Sequence, residues 1–271
     1  MLKKYGFNLF VVPLFFLVYS LVRLFFRGNE FLVLVHSFDG YERFWAIMSF
    51  YLEKYLPPEI PVRYVSETKS WASSRYPTIT TGHGSFVYRL CIALWRVRKN
   101  TKYVLYLQED MWLSSYISHG VISEWVESAE NSDFHILKIG ANSIVHSDRS
   151  YADFSITSWK NIARPREFSF YKSDLFAMSH HPSIFRADFL FTSAILSLLF
   201  NRRSPYEHEC FFSEVMRNHL YRTDGGGGYF RVGSVVGLAD FPYIHASKGG
   251  VLYPQAVEAI VRDGLLFSER L

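Results

Sequence analysis

The chain has 271 residues, 49% of them hydrophobic and 18% aromatic, with 29 Lys and Arg against 25 Asp and Glu for a formal net charge of +4. That length and apolar content can bury a full core and suit one larger α/β domain, while the small, scattered positive charge excludes a nucleic-acid footprint. The two cysteines, Cys91 and Cys210, fall in apolar helical patterns, which excludes a disulfide framework and a cysteine-based zinc site.

From Leu9 to Phe26 the sequence reads LFVVPLFFLVYSLVRLFF, preceded by Lys3 and Lys4 and broken by one charge, Arg23. Spanning a bilayer takes roughly 20 apolar residues, so residues 1–28 predict a single-pass membrane anchor if Arg23 snorkels to the headgroups. A helix lying in the membrane interface and a cleaved signal peptide are the alternatives. Positive charge flanks both ends, which leaves the side of the membrane open. No Asn-X-Ser/Thr sequon occurs, which points away from a glycosylating lumen.

Residues 29–271 then alternate between strand and helix patterns. Glu30–Phe38 (EFLVLVHSF) predicts a buried strand ending at the turn signal Asp39-Gly40, and Arg43–Tyr55 a helix closed by Pro57 and Pro58. Val62–Glu67 predicts the second strand. A Ser-rich loop with Trp71, Arg75 and Gly82-His83-Gly84 leads to a helix over Ser85–Arg98. The next strand lies in Lys102–Leu113 (KYVLYLQEDMWL), whose run Tyr103–Leu107 is long enough to be buried on both faces of a sheet. This strand-helix-strand-helix-strand order implies parallel pairing by right-handed crossovers.

Further on, Ser114–Ala129 predicts a helix and Asp133–Ala141 a strand. Asn142–Phe168 loses periodicity and is expected to be a variable loop region. Phe170–Ser179 predicts another strand and Ser183–Phe200 a helix, with a further helix starting near Ser204-Pro205. The run Gly225–Gly228 predicts a mobile connector. Phe230–Val236 and Tyr243-Ile244-His245 follow, then Lys248-Gly249-Gly250 and a last helix over Pro254–Arg262.

Gln108-Glu109-Asp110 places two acids at the carboxyl end of a central strand, where open α/β sheets collect their ligands. Neighbours on a strand point to opposite faces, so Glu109 and Asp110 cannot both aim at one ion without a bend. Hard divalent cations are held by one or two carboxylates plus substrate phosphates, which suits a nucleoside-diphosphate donor. The alternative is that both acids merely cap the next helix.

With these residues in view, the chain resembles a GT-A-type glycosyltransferase, the class that binds a nucleotide-sugar on a Rossmann-like, mostly parallel sheet with an Asp-X-Asp-type motif after a central strand. Gln108-Glu109-Asp110 stands in that place, with Gln108 where the family has its first Asp. HHPSIFRADFL (His180–Leu190), SPYEHE (Ser204–Glu209) and YIHASKGG (Tyr243–Gly250) resemble the acceptor-side, base-bearing and closing segments of bacterial and viral sugar transferases.

The resemblance implies roles residue by residue. Asp110, with Glu109 and His245, would hold a divalent metal, Mn²⁺ or Mg²⁺, and Lys248 would meet the donor diphosphate. Glu207 or Glu209 would act as the base that deprotonates an acceptor hydroxyl in an inverting hexosyl or pentosyl transfer to a glycan or glycolipid. Ser37, Phe38, Asp39 and Glu67 would line the nucleobase and ribose pocket, with His83 and Arg89 on ribose or phosphate.

Read from the residues alone, Ser204-Pro205-Tyr206-Glu207 is also a capping box with Pro at the first helical position, and Arg89 is equally a solvated helix position. Of His180 and His181, one is expected to be buried and the other to face the acceptor. Two rivals remain: a membrane-anchored α/β binding module without catalysis, and a nucleotidyl or phosphoryl transferase. No Gly-X-X-X-X-Gly-Lys-Ser/Thr loop occurs, which removes the P-loop version of the second.

Overall fold

The structure, a computed structural model, describes residues 2–71, 75–131, 133–139, 166–167, 178, 180–217, 230, 232–235, 243–248 and 250–265. The chain opens with α1 (Leu2–Arg23), then β1 (Glu30–His36), a 3-10 turn at Asp39–Tyr41, α2 (Glu42–Tyr55), β2 (Val62–Ser66), β3 (Thr78–Thr80), α3 (Phe86–Val97), β4 (Thr101–Gln108) and β5 (Met111–Leu113). It continues through α4 (His119–Asn131), β6 (Ile136–Ile139), β7 (Arg166–Glu167), β8 (Ser183–Arg186), α5 (Ala187–Leu199) and α6 (Pro205–Arg217). The last elements are β9 (Val232–Val235), β10 (Tyr243–His245), β11 (Ser247–Lys248), β12 (Val251–Leu252) and α7 (Pro254–Arg262).

Eight strands form one sheet in the order β3-β2-β1-β4-β8-β6-β9-β7. β1 lies parallel between β2 and β4, β3 parallel to β2, and β9 parallel to β6. β8 runs antiparallel between β4 and β6, and β7 antiparallel beside β9. The sheet is therefore mixed but mostly parallel, flanked by helices. Period-two alternation divides the core between its faces. Leu32, Leu34, Val104 and Tyr106 join α1, α3, α5 and α6 on one face. Val33, Val35, Tyr103, Leu105 and Leu107 join α2, α4 and α7 on the other. Each fully buried aliphatic side chain contributes roughly 1.5–3 kcal/mol, so the central strands β1 and β4 form a rigid platform whose carboxyl ends hold the site.

Four expectations change on contact with the structure. The helix expected over Ser183–Phe200 begins only at Ala187, because Ser183–Arg186 is β8, zipped between β4 and β6. A short apolar run reads equally as strand or buried helix, and Ile184 and Phe185 are completely buried here. The helix expected from Ser114 starts at His119. Thr78–Thr80, placed in a loop, forms β3 against β2. The fourth concerns residues 1–28.

α1 forms as expected, yet Val11, Phe15, Tyr19 and Val22 are built into the core. Phe15 stacks on Tyr19 and meets Phe189, Phe212 and Phe230 at ring distances of 4.9–5.9 Å. Among the described residues no helix is long and apolar enough to cross a membrane. The connection after α1 is fixed by Gly28: a Cβ there would stand 2.0 Å from the Asn100 carbonyl carbon, so only glycine lets this turn lie against the start of β4. Most of the expected strand over 170–179, the loop over 142–168 and the glycine run over 225–228 lie outside the described residues.

Candidate active site

A cavity of about 170 Å³ opens at the carboxyl ends of β1 and β4. His36, Ser37 and Phe38 line it from the end of β1, and Gln108, Glu109 and Asp110 from the end of β4. Phe86 and Arg89 of α3, Tyr41 and Pro205 complete the wall. The bend that the sequence demanded is present, since β4 stops at Gln108 and β5 starts at Met111 with a turn between them. That break lets both Glu109 and Asp110 line the cavity.

Glu109 is buried, and burial followed by the adjacent Asp110 carboxylate pushes its pKa up to about 8. Asp110 meets His245 through long-range pairing. β10 runs antiparallel to β5 with His245 opposite Met111, and the Ala246 amide donates to the Asp110 carbonyl at 2.6 Å. His245 Nε2 then stands 3.5 Å from Asp110 Oδ2, which also accepts from Ser247 Oγ at 3.2 Å. Asp110 Oδ1 is buried with no hydrogen-bond partner among the described residues. Lys248 lies in β11, paired with Val251; its side chain is outside the described residues. At Gly250 φ is +84° and a Cβ would stand 2.6 Å from Arg43 Nη2, which donates to the Gly250 carbonyl at 2.9 Å.

The residues expected to hold a nucleobase and ribose divide into two groups. Ser37 and Phe38 line the cavity, and Arg89 is buried there rather than solvated, donating to the Ser37 carbonyl at 2.7 Å with its guanidinium 5.6 Å from the Phe38 ring. Ser37 Oγ accepts from Trp45 Nε1 at 2.7 Å. Asp39 instead accepts from the backbone amides of Glu67, Thr68 and Lys69 at 3.1–3.3 Å and from Thr68 Oγ1. Its carboxyl therefore sits below the usual range, those hydrogen bonds outweighing partial burial, and it ties the chain after β2 to the end of β1. Glu67 and His83 are outside the cavity wall, with His83 exposed on the loop before α3.

At α6 the two candidate bases part company. Ser204 Oγ accepts from the Glu207 amide at 3.2 Å, while Glu207 Oε2 accepts from the amides of Arg203 and Ser204 and from Ser204 Oγ, each at 3.0 Å. This reciprocal capping box occupies Glu207 Oε2. Glu209 Oε1 accepts from the His180 amide and lies 3.3 Å from His180 Nδ1. Burial raises the Glu209 pKa, but the bonds and charge of His180 outweigh it and lower the net value. His180 is buried and His181 only partly so; His181 Nδ1 is 3.4 Å from Tyr243 Oη, and its ring is 5.6 Å from that of His245.

The sequence reading missed His36 and Tyr106. Their side chains meet at 2.9 Å between Nδ1 and Oη, and His36 Nε2 is buried without a partner among the described residues. Burial, then the charge of Arg89, depresses the His36 pKa and keeps the ring neutral. A polar residue closing an otherwise apolar strand was the available signal.

The residues present fit a divalent cation. An orphaned, buried carboxylate oxygen beside an imidazole gives one hard and one borderline donor. Asp110 and His245 would hold the ion with Glu109 at its edge. No group of three or more His, Cys, Asp or Glu side chains suited to a metal occurs among the described residues, so the remaining donors would be phosphate oxygens and water.

No protein-family model matches the sequence, and no curated protein matches it. Solved structures of Staphylococcus aureus TarS are similar. TarS 1–349 shares 14% identity with a TM-score of 0.44, covering 79% of this chain and 59% of that one. Its complex with UDP-GlcNAc shares 14% identity with a TM-score of 0.39, covering 79% and 57%, and its complex with UDP 15% with a TM-score of 0.41, covering 79% and 59%. The chain spans less than two thirds of each of these structures, and the functional reading rests on the residues of the site itself.

Proposed function

We propose that the chain is a GT-A-type glycosyltransferase that moves a sugar from a nucleotide-sugar to a glycan or glycolipid hydroxyl with inversion. The observation that carries this reading is the meeting of Asp110 and His245, 135 positions apart in the sequence, beside a cavity at the carboxyl ends of β1 and β4. A cavity of about 170 Å³ is smaller than the roughly 300–1,000 Å³ of a typical ligand site, and suits the nucleoside part of a donor. Phe38, Ser37, Arg89 and His36 would enclose that part, with the diphosphate toward Asp110, His245 and Lys248. The TarS complexes with UDP-GlcNAc and UDP suggest uridine donors as the first to try.

When bound, a Mn²⁺ or Mg²⁺ ion would offset the charge that develops on the departing diphosphate. Glu209 is the base this reading favours, because Glu207 Oε2 is committed to capping α6, whereas Glu209 is held on the His180 amide beside His181. Its carboxylate would take the acceptor hydroxyl proton as that oxygen forms a bond to the anomeric carbon, and the bond from that carbon to the nucleoside diphosphate breaks with its electron pair leaving on the diphosphate.

Membrane association belongs to the same proposal, in the form of a helix lying in the interface. The outer face of α1 exposes Phe10, Leu17 and Leu21, and the turn after it Leu24 and Phe25, and Trp95 stands 5.7 Å from the Phe25 ring. Exposed Arg23 and Arg27 would meet headgroups.

Incubating the protein and Mn²⁺ with a panel of nucleotide-sugars tests the reaction class without knowledge of the acceptor. Slow release of nucleoside diphosphate from one or two donors is expected. Absence of release from every donor, or release of pyrophosphate from nucleoside triphosphates instead, contradicts the reading.

A further inference from the structure

The hairpin of β11 and β12 runs between two residues of the cavity wall. Its base is fixed at Asp110: the Ala246 amide donates to the Asp110 carbonyl at 2.6 Å, the Tyr253 amide to the Ala246 carbonyl at 2.8 Å, and Ser247 Oγ to Asp110 Oδ2 at 3.2 Å. Its turn lies beside Tyr41, since a Cβ on Gly250 would stand 3.9 Å from Tyr41 Oη. Asp110 and Tyr41 both line the cavity. Burial, followed by the charges of Glu109 and Asp110, raises the Tyr41 pKa, so the phenol stands within electrostatic reach of both carboxylates.

Left to itself this hairpin would not persist. Its strands have two residues each, Ser247 opposite Leu252 and Lys248 opposite Val251, and an isolated two-stranded ladder is marginal in water even when longer. Val251 is 74% exposed and Leu252 half-buried, so apolar burial adds little. What holds the turn is Arg43, in the first turn of α2, whose Nη2 donates to the Gly250 carbonyl at 2.9 Å. The guanidinium also lies 5.0 Å from the Phe44 ring, a cation–π contact that limits its sweep. At Gly250 the φ of +84°, with only 2.6 Å between a Cβ and Arg43 Nη2, reserves this close approach for glycine.

We propose that Arg43 is a positioning residue that latches the β11–β12 hairpin along the cavity wall, keeping Ser247 on Asp110 and the turn against Tyr41 when the donor binds. This deepens the reading of the cavity as the donor site and rests on it. The two fastenings differ in strength. Ala246 is completely buried, with its amide committed to Asp110, whereas Arg43 is exposed and offers one hydrogen bond. Loss of the latch therefore frees the turn while the base stays paired. Apparent affinity for the donor then falls with the fraction of molecules whose hairpin is still in place. In the bound complex the hairpin is in place in every molecule, so turnover of bound donor stays nearly the same.

Deuterium exchange of the β11 and β12 amides reads the latch without any ligand, and breakdown of a nucleotide-sugar with Mn²⁺ reads its effect on the donor. Arg43→Met should speed that exchange about 3- to 10-fold, as befits one lost hydrogen bond, and leave the Ala246 amide as slow as in the wild type. It should raise the donor KM by about the same factor with kcat within about twofold. Arg43→Lys, which keeps a hydrogen-bond donor, should recover most of both. Gly250→Ala should open the latch from the other side and move both readings in the same direction. Unchanged exchange in Arg43→Met, equally faster exchange at Ala246, a kcat that falls at constant KM, or Arg43→Lys behaving as Arg43→Met overturns the proposal. If Arg43→Met loosens the hairpin but no nucleoside diphosphate, with or without Mn²⁺, slows its exchange in the wild type, the donor-site reading fails and the latch alone stands.

Discussion

His135 lies just before β6, inside an aromatic cage of Phe189, Tyr19 and Phe230 at ring distances of 5.0, 5.9 and 6.0 Å. Burial, then the charge of Arg186, lowers its pKa to about 4. The unfolded chain binds a proton near pH 6.5 while the folded chain refuses it until about pH 4. The stability associated with the neutral ring is therefore intact above pH 6.5 and is lost as pH falls to about 4, by up to roughly 3 kcal/mol. His135→Gln should show a smaller fall in Tm between pH 6.5 and pH 4 than the wild type; an equal fall would mean the ring is not the titrating group. At this scale the sequence was partly readable. The capping box at Ser204–Glu207 announces itself through spacing, and the structure shows what that spacing costs Glu207 as a base. The partnership of Glu209 with His180 carries no spacing signal, because it joins α6 to a segment 29 positions away.

For the elements, β1, β4 and α7 were legible because apolar runs of strand length closed by turn signals and a Pro-initiated helix have few other readings. β8 was not, since four residues of strand running straight into α5 look like one apolar helix. α1 was legible as a helix, but its role depends on which face finds a partner. The inward face carries Phe15 and Tyr19, and the outward side carries exposed large apolar residues, Phe10, Leu17 and Leu21 on the helix and Leu24 and Phe25 in the turn after it. If the outward face lies in a membrane, the protein should sediment with vesicles containing anionic lipid, and Leu21→Glu/Phe25→Glu should abolish sedimentation while leaving the Tm nearly unchanged. Equal sedimentation of the variant and the wild type would contradict an interfacial seat.

Across the whole molecule, the site exists because β10 returns to pair with β5. Sequence reading placed an acid after the third strand it recognised and a histidine near the carboxyl end, but only a resemblance connected them, since nothing in either segment specifies its partner strand. The antiparallel register of Tyr243–His245 on Met111–Leu113 makes the connection physical and leaves Asp110 Oδ1 buried and without a partner among the described residues, an arrangement whose cost a cation on the donor diphosphate would offset. Thermal unfolding of the wild type and Asp110→Asn, each with UDP in the presence and absence of Mn²⁺, tests this most directly. A ligand at a hundredfold its Kd adds about 2.7 kcal/mol, so Mn²⁺ with UDP should raise the wild-type Tm by several degrees above UDP alone, and Asp110→Asn should lose that increment while unfolding cooperatively. The same Mn²⁺-dependent increment in both proteins would contradict the account.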